Sequence, residues 1–201
     1  MRVIYWAIGG LILGGIFGLM SAVYLSGITP SGINRSTPVV VDGWQSDWSI
    51  GSPAAGRYQK AWVARYGLLA MQKSEAVYFI RSHDEQGLPM REDCRYLVAG
   101  TDLPAEWWSV TLYDRLAYLP NNTDGHLSFD ASDATNRYDW QFEVASQRPE
   151  DGTAWVSSRA AETFDLTLRL YRPNADFLNS PEHGTPFPTI TRLSCKQGGD
   201  T

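Results

Sequence analysis

The residues able to do chemistry are few and scattered. Histidine occurs three times, at His83, His126 and His183, and cysteine twice, at Cys94 and Cys195. All three histidines fall in loop-like stretches, and none has the i, i+4 partner that sets two ligands on one helix face. A zinc-type centre needs clustered His, Cys, Asp or Glu, so the spacing predicts neither a metal site nor a cofactor. His83-Asp84 and Asp124-Gly125-His126 would have to meet in space to change that. Asp130, Asp133 and Asn136 lack the glycine and bidentate glutamate of a calcium loop. No G-x-S-x-G elbow marks a nucleophilic serine, and there is no glycine-rich phosphate loop. Glu75, Asp84, Asp114 and Glu143 remain. A carboxylate-dependent hydrolase acting on an envelope glycan would hold two such groups roughly 5–10 Å apart across a cleft. Asp84 and Asp114 are the pair on offer, and solvated surface carboxylates are the plainer reading.

Aromatic residues are the stronger feature, with eight tryptophans and ten tyrosines in 201 residues. Trp107, Tyr113, Tyr138, Trp155 and Tyr171 could line a face that stacks on a glycan or an apolar ligand. Arg169 and Arg172 flank Tyr171 and would add anion contacts. The candidate ligand-binding set is Trp107, Tyr113, Trp155, Tyr171 and Arg169, with core or sheet packing the alternative for each aromatic. A net charge of −5 and no basic stripe argue against nucleic acid. With 43% hydrophobic residues, the body of the chain is expected to fold around one core.

The elements that must position these residues begin with an uncharged run from Val3 to Gly27. About 20 such residues span a bilayer as a helix. Met20 at the −3 position of a cut after Ala22 argues for an uncleaved signal anchor, with cleavage as the alternative. Arg2 and the amino terminus precede the run, and Arg35 is the first positive charge after it. The positive-inside rule then predicts a single-pass inner-membrane protein with a cytoplasmic N-terminus and a periplasmic C-terminal domain. Gly10, Gly14, Gly18, Ala22 and Ser26 recur every four residues, a small-residue stripe that lets helix backbones approach. It fits a homo-oligomer or a membrane-protein partner, while glycine is also common in membrane helices generally. The predicted organisation is an anchor over 1–28, a linker over 29–42, a β-sandwich domain over 43–195 and a flexible tail over 196–201.

Within the domain, Ser52-Pro53 is a helix-start signal. From Ala54 to Met71, Tyr58, Ala61, Trp62, Leu68 and Leu69 form an apolar face, which predicts one amphipathic helix docked on the sheet. Trp44 and Trp48, four apart, are placed either as a clamp where the chain joins the domain or near the membrane interface. Strands are expected at 75–82, 94–100, 107–114, 126–130, 138–144, 154–157, 163–172 and 189–195, with turn signals between them, while 39–41 reads as a short strand or a lead-in. The fold class is mainly β, an antiparallel sandwich or jelly roll. In the stretch W-W-S-V-T-L-Y-D, Trp108, Val110 and Leu112 should face the core, with Trp107, Ser109, Thr111 and Tyr113 on the other side. In an oxidising compartment the two cysteines would pair, closing a loop of about 100 residues worth roughly 4–5 kcal/mol on the chain-entropy model. Two unrelated buried thiols are the alternative.

The ordered series C-R-Y-L-V-A-G, L-P-A-E-W-W-S-V-T-L-Y-D, Y-L-P-N-N and F-D-L-T-L-R-L-Y-R-P resembles the bacterial domain of unknown function 1214. E-A-V-Y-F and D-E-Q-G fit its upstream part, so the resemblance spans roughly Gly43 to Cys195. After Asn122 the chain departs, reading T-D-G-H-L-S-F-D rather than an Arg-Tyr-Ser-like continuation. The resemblance implies a jelly-roll domain, carried behind one membrane helix or fused to a companion domain in larger exported proteins, and brings no activity or catalytic residue. Together these readings favour a non-catalytic binding or assembly module of the envelope over the hydrolase.

Overall fold

In a computed structural model of the chain, residues 2–25, 38–48, 60, 71–182 and 187–196 are described. The helix expected from Ala54 to Met71 falls outside them but for Lys60 and Met71. His183, linker residues 29–37 and tail residues 197–201 also fall outside. The chain divides into two compact units. In the first, α1 spans Arg2–Leu25. Its stretch Val3–Tyr24 is long and apolar enough to cross a membrane.

The second unit is a sandwich of two sheets. One runs β1-β2-β3-β9-β5-β6, the other β10-β4-β7-β8. The six-stranded sheet comprises β1 (Val39–Val41), β2 (Trp44–Ser46), β3 (Ala76–Arg81), β9 (Phe164–Pro173), β5 (Ala105–Asp114) and β6 (Ser128–Asp130). The four-stranded sheet comprises β10 (Thr189–Cys195), β4 (Cys94–Gly100), β7 (Trp140–Ala145) and β8 (Trp155–Ser157). A short helix, α2 (Ala175–Asn179), follows β9 and buries Phe177. The chain changes sheet between β3 and β4, β4 and β5, β6 and β7, β8 and β9, and β9 and β10. The mainly β sandwich is therefore as expected.

Period-two alternation decides which side chains are inside. On β9, Phe164, Leu166, Leu168 and Leu170 are buried, and β5 sets Leu112, Val110 and Trp108 beside the last three. From the opposite sheet, Trp140 stacks on Trp108 with centroids 4.3 Å apart, and Phe142 stacks on Phe129 at 4.6 Å. Trp44 is fully buried and donates its indole N–H to the Pro188 carbonyl at 2.8 Å. It is thus a core residue holding the segment before β10. Cys94 and Cys195 are bonded, and they face one another directly on adjacent strands β4 and β10.

Three features differ from the pattern read in the sequence. β2 lay hidden within the expected clamp at Trp44. Asp42 and Gly43 have φ of 47° and 80°, the two positive angles of a tight hairpin for which Asp-Gly is the preferred pair. β1 and β2 are its arms, so the sandwich starts inside the segment taken as linker. The second difference is β8, which runs parallel to β7. It is only three residues long, so residues 146–154 suffice to carry the chain back beside β7. The third is α2, too short to show a helical period.

Trp140 also explains a glycine. Gly100 lies opposite Trp140 across β4 and β7. A methyl group added there would sit 2.3 Å from the indole Cζ2. The ring itself is held by its N–H bond to the Thr101 carbonyl at 2.8 Å. Gly100→Ala is expected to destabilise the domain by about 1–3 kcal/mol through overpacking. Trp140→Leu in the same chain should recover part of that loss, a coupling measurable by denaturant unfolding of the two single variants and the double variant.

Candidate functional site

The outward positions of the central strands carry the candidate site. Opposite the buried leucines, β9 presents Asp165, Thr167, Arg169 and Tyr171. Register sets Tyr171 between Ala76 and Trp107, and Arg169 between Tyr78 and Ser109. Thr167 lies between Ile80 and Thr111, and Asp165 lies beside Tyr113. Direct cross-strand neighbours are close enough for side-chain contact. Trp107 and Tyr171 accordingly pack with centroids 5.2 Å apart, and Trp107 stays 37% exposed.

Arg169 is the centre of this face. Its Nη1 donates to Thr111 Oγ1 at 2.9 Å and its Nη2 to the Tyr113 hydroxyl at 2.5 Å. The guanidinium carbon lies 5.3 Å from the Tyr113 ring centroid and 5.8 Å from that of Tyr78. Such placement over aromatic faces favours a cation. Among the described residues no carboxylate comes within ion-pair distance of Arg169, unlike Arg95, Arg137, Arg159, Arg172 and Arg192. A half-buried guanidinium with five N–H donors and only neutral partners is equipped to take an anion. Burial raises the Tyr78 phenol above its ordinary value; Tyr171 and Tyr113 raise it further, while Arg169 acts against the rise.

Of the five residues chosen for ligand binding, Trp107, Tyr113, Arg169 and Tyr171 therefore share one face. Trp155 does not. It belongs to β8 in the other sheet, donates its indole N–H to the Ala145 carbonyl at 2.9 Å, and packs 5.5 Å from the His126 ring. Tyr138 lies in the loop before β7 with its ring beside Arg137. Sequence reasoning left out Tyr78, Thr111 and Asp165. The period-two signal for them was present on β3, β5 and β9, but only register makes them neighbours.

The candidate catalytic carboxylates are engaged elsewhere. Asp84 Oδ1 accepts the Gln86 and Leu88 backbone N–H groups, and Oδ2 meets Arg192 at 2.7 Å. Asp114 Oδ1 accepts the N–H groups of Leu116 and Tyr118, both at 2.9 Å. Glu143 is paired with Arg95 at 2.7 Å, and Glu75 accepts the Gln72 N–H at 3.2 Å. Asp84, Asp114 and Glu75 thus hold turns, and Glu143 pairs across the four-stranded sheet with Arg95 of β4. Asp130, Asp133 and Asn136 likewise accept the N–H groups of Ser132, Asp130 and Tyr138. No group of three or more potential metal ligands clusters among the described residues. Asp124 forms an ion pair with Arg159 and accepts the Ser157 hydroxyl at 2.6 Å, stapling the loop after β5 to the turn after β8.

A family model described as a protein of unknown function (DUF1214) matches residues 75–175, half of the chain. The chain belongs to the DUF1214 family. The match covers β3 through β9, and so includes every residue of the Arg169 face named above. Among solved structures, the VPA0106 protein from Vibrio parahaemolyticus is similar, with a TM-score of 0.55 and 19% identity over 70% of this chain. The similar region is only 36% of that protein, so the likeness is one of fold, shared with part of a longer chain. An uncharacterized protein from Burkholderia cenocepacia matches 59% of this chain and 30% of its own, at 12% identity and a TM-score of 0.45. No curated protein matches the sequence.

On the outer face of this DUF1214 domain, Asp165 has a perturbed environment. Burial raises Asp165 above the ordinary aspartate value, against a hydrogen bond from Ser82 and the charges of His83 and Arg115, which lower it. The native state thus holds this proton to a higher pH than the unfolded chain. Ionising Asp165 then costs native stability as pH rises from the ordinary value through the raised one. Asp165→Asn removes that cost. Its melting temperature relative to the unsubstituted protein should rise with pH across that interval and level off above it. A pH-independent difference in thermal melts would contradict this assignment.

Proposed function

We propose that this DUF1214 chain is a non-catalytic binding module of the bacterial cell envelope, tethered by α1, that captures an anionic glycan on its Arg169 face. In this reading α1 crosses the inner membrane with its N-terminus in the cytoplasm and the sandwich in the periplasm. The Cys94–Cys195 bond supports an oxidising compartment. The observation carrying the ligand class is the half-buried Arg169 guanidinium, framed by Tyr78 and Tyr113 and without a carboxylate partner among the described residues. Aromatic faces stack on sugar rings, and a planar guanidinium matches a carboxylate in two-point fashion. The hydrolase alternative asks for two free carboxyls across a cleft, whereas Asp84 and Asp114 each hold a turn.

Oligogalacturonate and neutral malto-oligosaccharide separate charge recognition from simple stacking in calorimetric titrations of the full chain in detergent. Arg169→Gln should weaken the acidic oligosaccharide by about tenfold or more, the scale of a hydrogen bond to a charged group, and leave the neutral one unchanged. Trp107→Ala should weaken both. Equal affinity for the two sugars, or Arg169→Gln binding as well as the parent, removes this assignment. A chain that no longer melts cooperatively after Trp107→Ala would place that ring in the core instead.

Assembly through α1 is a companion part of the proposal. Gly10, Gly14 and Gly18 have open space where a side chain would project, and Ala22 continues the four-residue repeat. Close backbone approach at such a stripe stabilises helix pairs. Gly14→Ile is expected to abolish self-association of the full chain in bilayers, measured by energy transfer between labelled copies. Unchanged transfer rejects the stripe as an interface.

A further inference from the structure

The loop after β5 shows three large apolar side chains to solvent. Leu116, Tyr118 and Leu119 are 73%, 67% and 51% exposed, and Arg115 beside them is exposed too. The loop is nevertheless tightly built. Asp114 accepts two of its N–H groups, the Ala117 N–H bonds back to the Asp114 carbonyl, and the Asp114 N–H bonds to the Tyr118 carbonyl. Ala117 is held at φ 62°, a left-handed conformation unfavourable for a residue with a Cβ. Just beyond, Pro120 is buried and Asn122 donates to the Arg159 carbonyl at 2.7 Å. A strained, well-bonded turn that projects leucines into water is an interaction feature rather than a packing one.

We infer that this Leu116–Tyr118–Leu119 tip inserts into the headgroup layer of an anionic membrane, orienting the tethered domain on the bilayer surface. The inference rests on α1 being the anchor proposed above. Tyrosine and leucine beside an arginine is the composition of interfacial anchors, with the aromatic ring at headgroup depth and the cation on anionic lipid. The tether permits the geometry. Register runs Val40, Gln45, Ile80, Thr167 across the sheet, and Phe164 faces Asp114 at the base of the tip. Pro38 therefore lies roughly 17 Å along the strands from that base, at about 3.3 Å per residue. Residues 26–37 reach at most about 40 Å when extended. Three side chains alone bind a membrane weakly, but the anchor makes the encounter intramolecular.

Leu119→Cys can be labelled alone with an environment-sensitive fluorophore, because both natural cysteines are in the disulfide. The full chain is reconstituted in vesicles of phosphatidylcholine and phosphatidylglycerol carrying a nitroxide quencher at headgroup depth. Ser180→Cys, exposed just after α2 near the opposite end of β9, is the reference label. The Leu119→Cys label should shift to the blue and lose most of its fluorescence, more weakly in pure phosphatidylcholine, while the Ser180→Cys label does neither. Equal, weak quenching at both sites in chains that resist alkaline extraction overturns tip insertion and leaves the anchor standing. Chains released by alkaline extraction overturn the anchor, and tip insertion with it. A blue shift that grows with protein density without lipid quenching assigns the tip to a second copy instead.

Discussion

The sandwich depends on one indole. Trp140 lies over Gly100 within its own sheet and stacks on Trp108 of the other. This contact couples the two layers where the β4–β7 ladder ends, with Phe129 and Phe142 extending it. Its consequence runs along β5. With Trp108 fixed inward, alternation leaves Trp107 and Tyr113 outward, and a one-residue slip would exchange the two sets. β9, paired along nearly its full length with β5, inherits that phase and turns Arg169 and Tyr171 to the same outer face.

That outer face joins two opposite electrostatic environments through Tyr113. The described partners of Arg169 are hydroxyls and aromatic rings. Asp165, four residues before Arg169 on β9 and directly opposite Tyr113, is a carboxyl whose charged form burial disfavours. Both side chains are partly removed from water on a crowded sheet surface. At Asp165 burial disfavours the charged carboxylate. The protein's net charge of −5 would repel an acidic ligand at long range, yet at physiological ionic strength that field fades over about 8 Å. Capture of an acidic ligand, as proposed, would then rest on local geometry at Arg169.

Strand positions were largely legible in the sequence because period-two burial writes itself into side-chain type. Cys94–Gly100 and Thr189–Cys195 coincide with their observed strands, and the inward sets on β5 and β9 are as expected. Pairing was not legible. The alternation of Trp155 looks like that of Trp107, and only the parallel seat of β8 beside β7 removes it from the Arg169 face. The β1–β2 hairpin had a readable signal in Asp42-Gly43, obscured by the apolar and aromatic residues that resembled a junction. Asp84 and Asp114 looked available for acid–base chemistry because a turn-capping carboxylate and a catalytic one are the same residue type. Their backbone partners distinguish them.

By itself the sequence determined the apolar N-terminal helix, the β class, the family resemblance and the candidate pair of cysteines. Each depends on local composition or spacing, which the chain carries without folding. Tertiary structure decided which side chains share a surface. It brought Tyr78 and Thr111 to Arg169, separated Trp155 from them, and projected Leu116, Tyr118 and Leu119 from a turn clipped by Asp114. The physical reason is that Arg169 and the residues around it lie on strands tens of residues apart, as Thr111 does. Their juxtaposition is set by hydrogen-bond register between strands, a property of the packed sheets that no local pattern encodes.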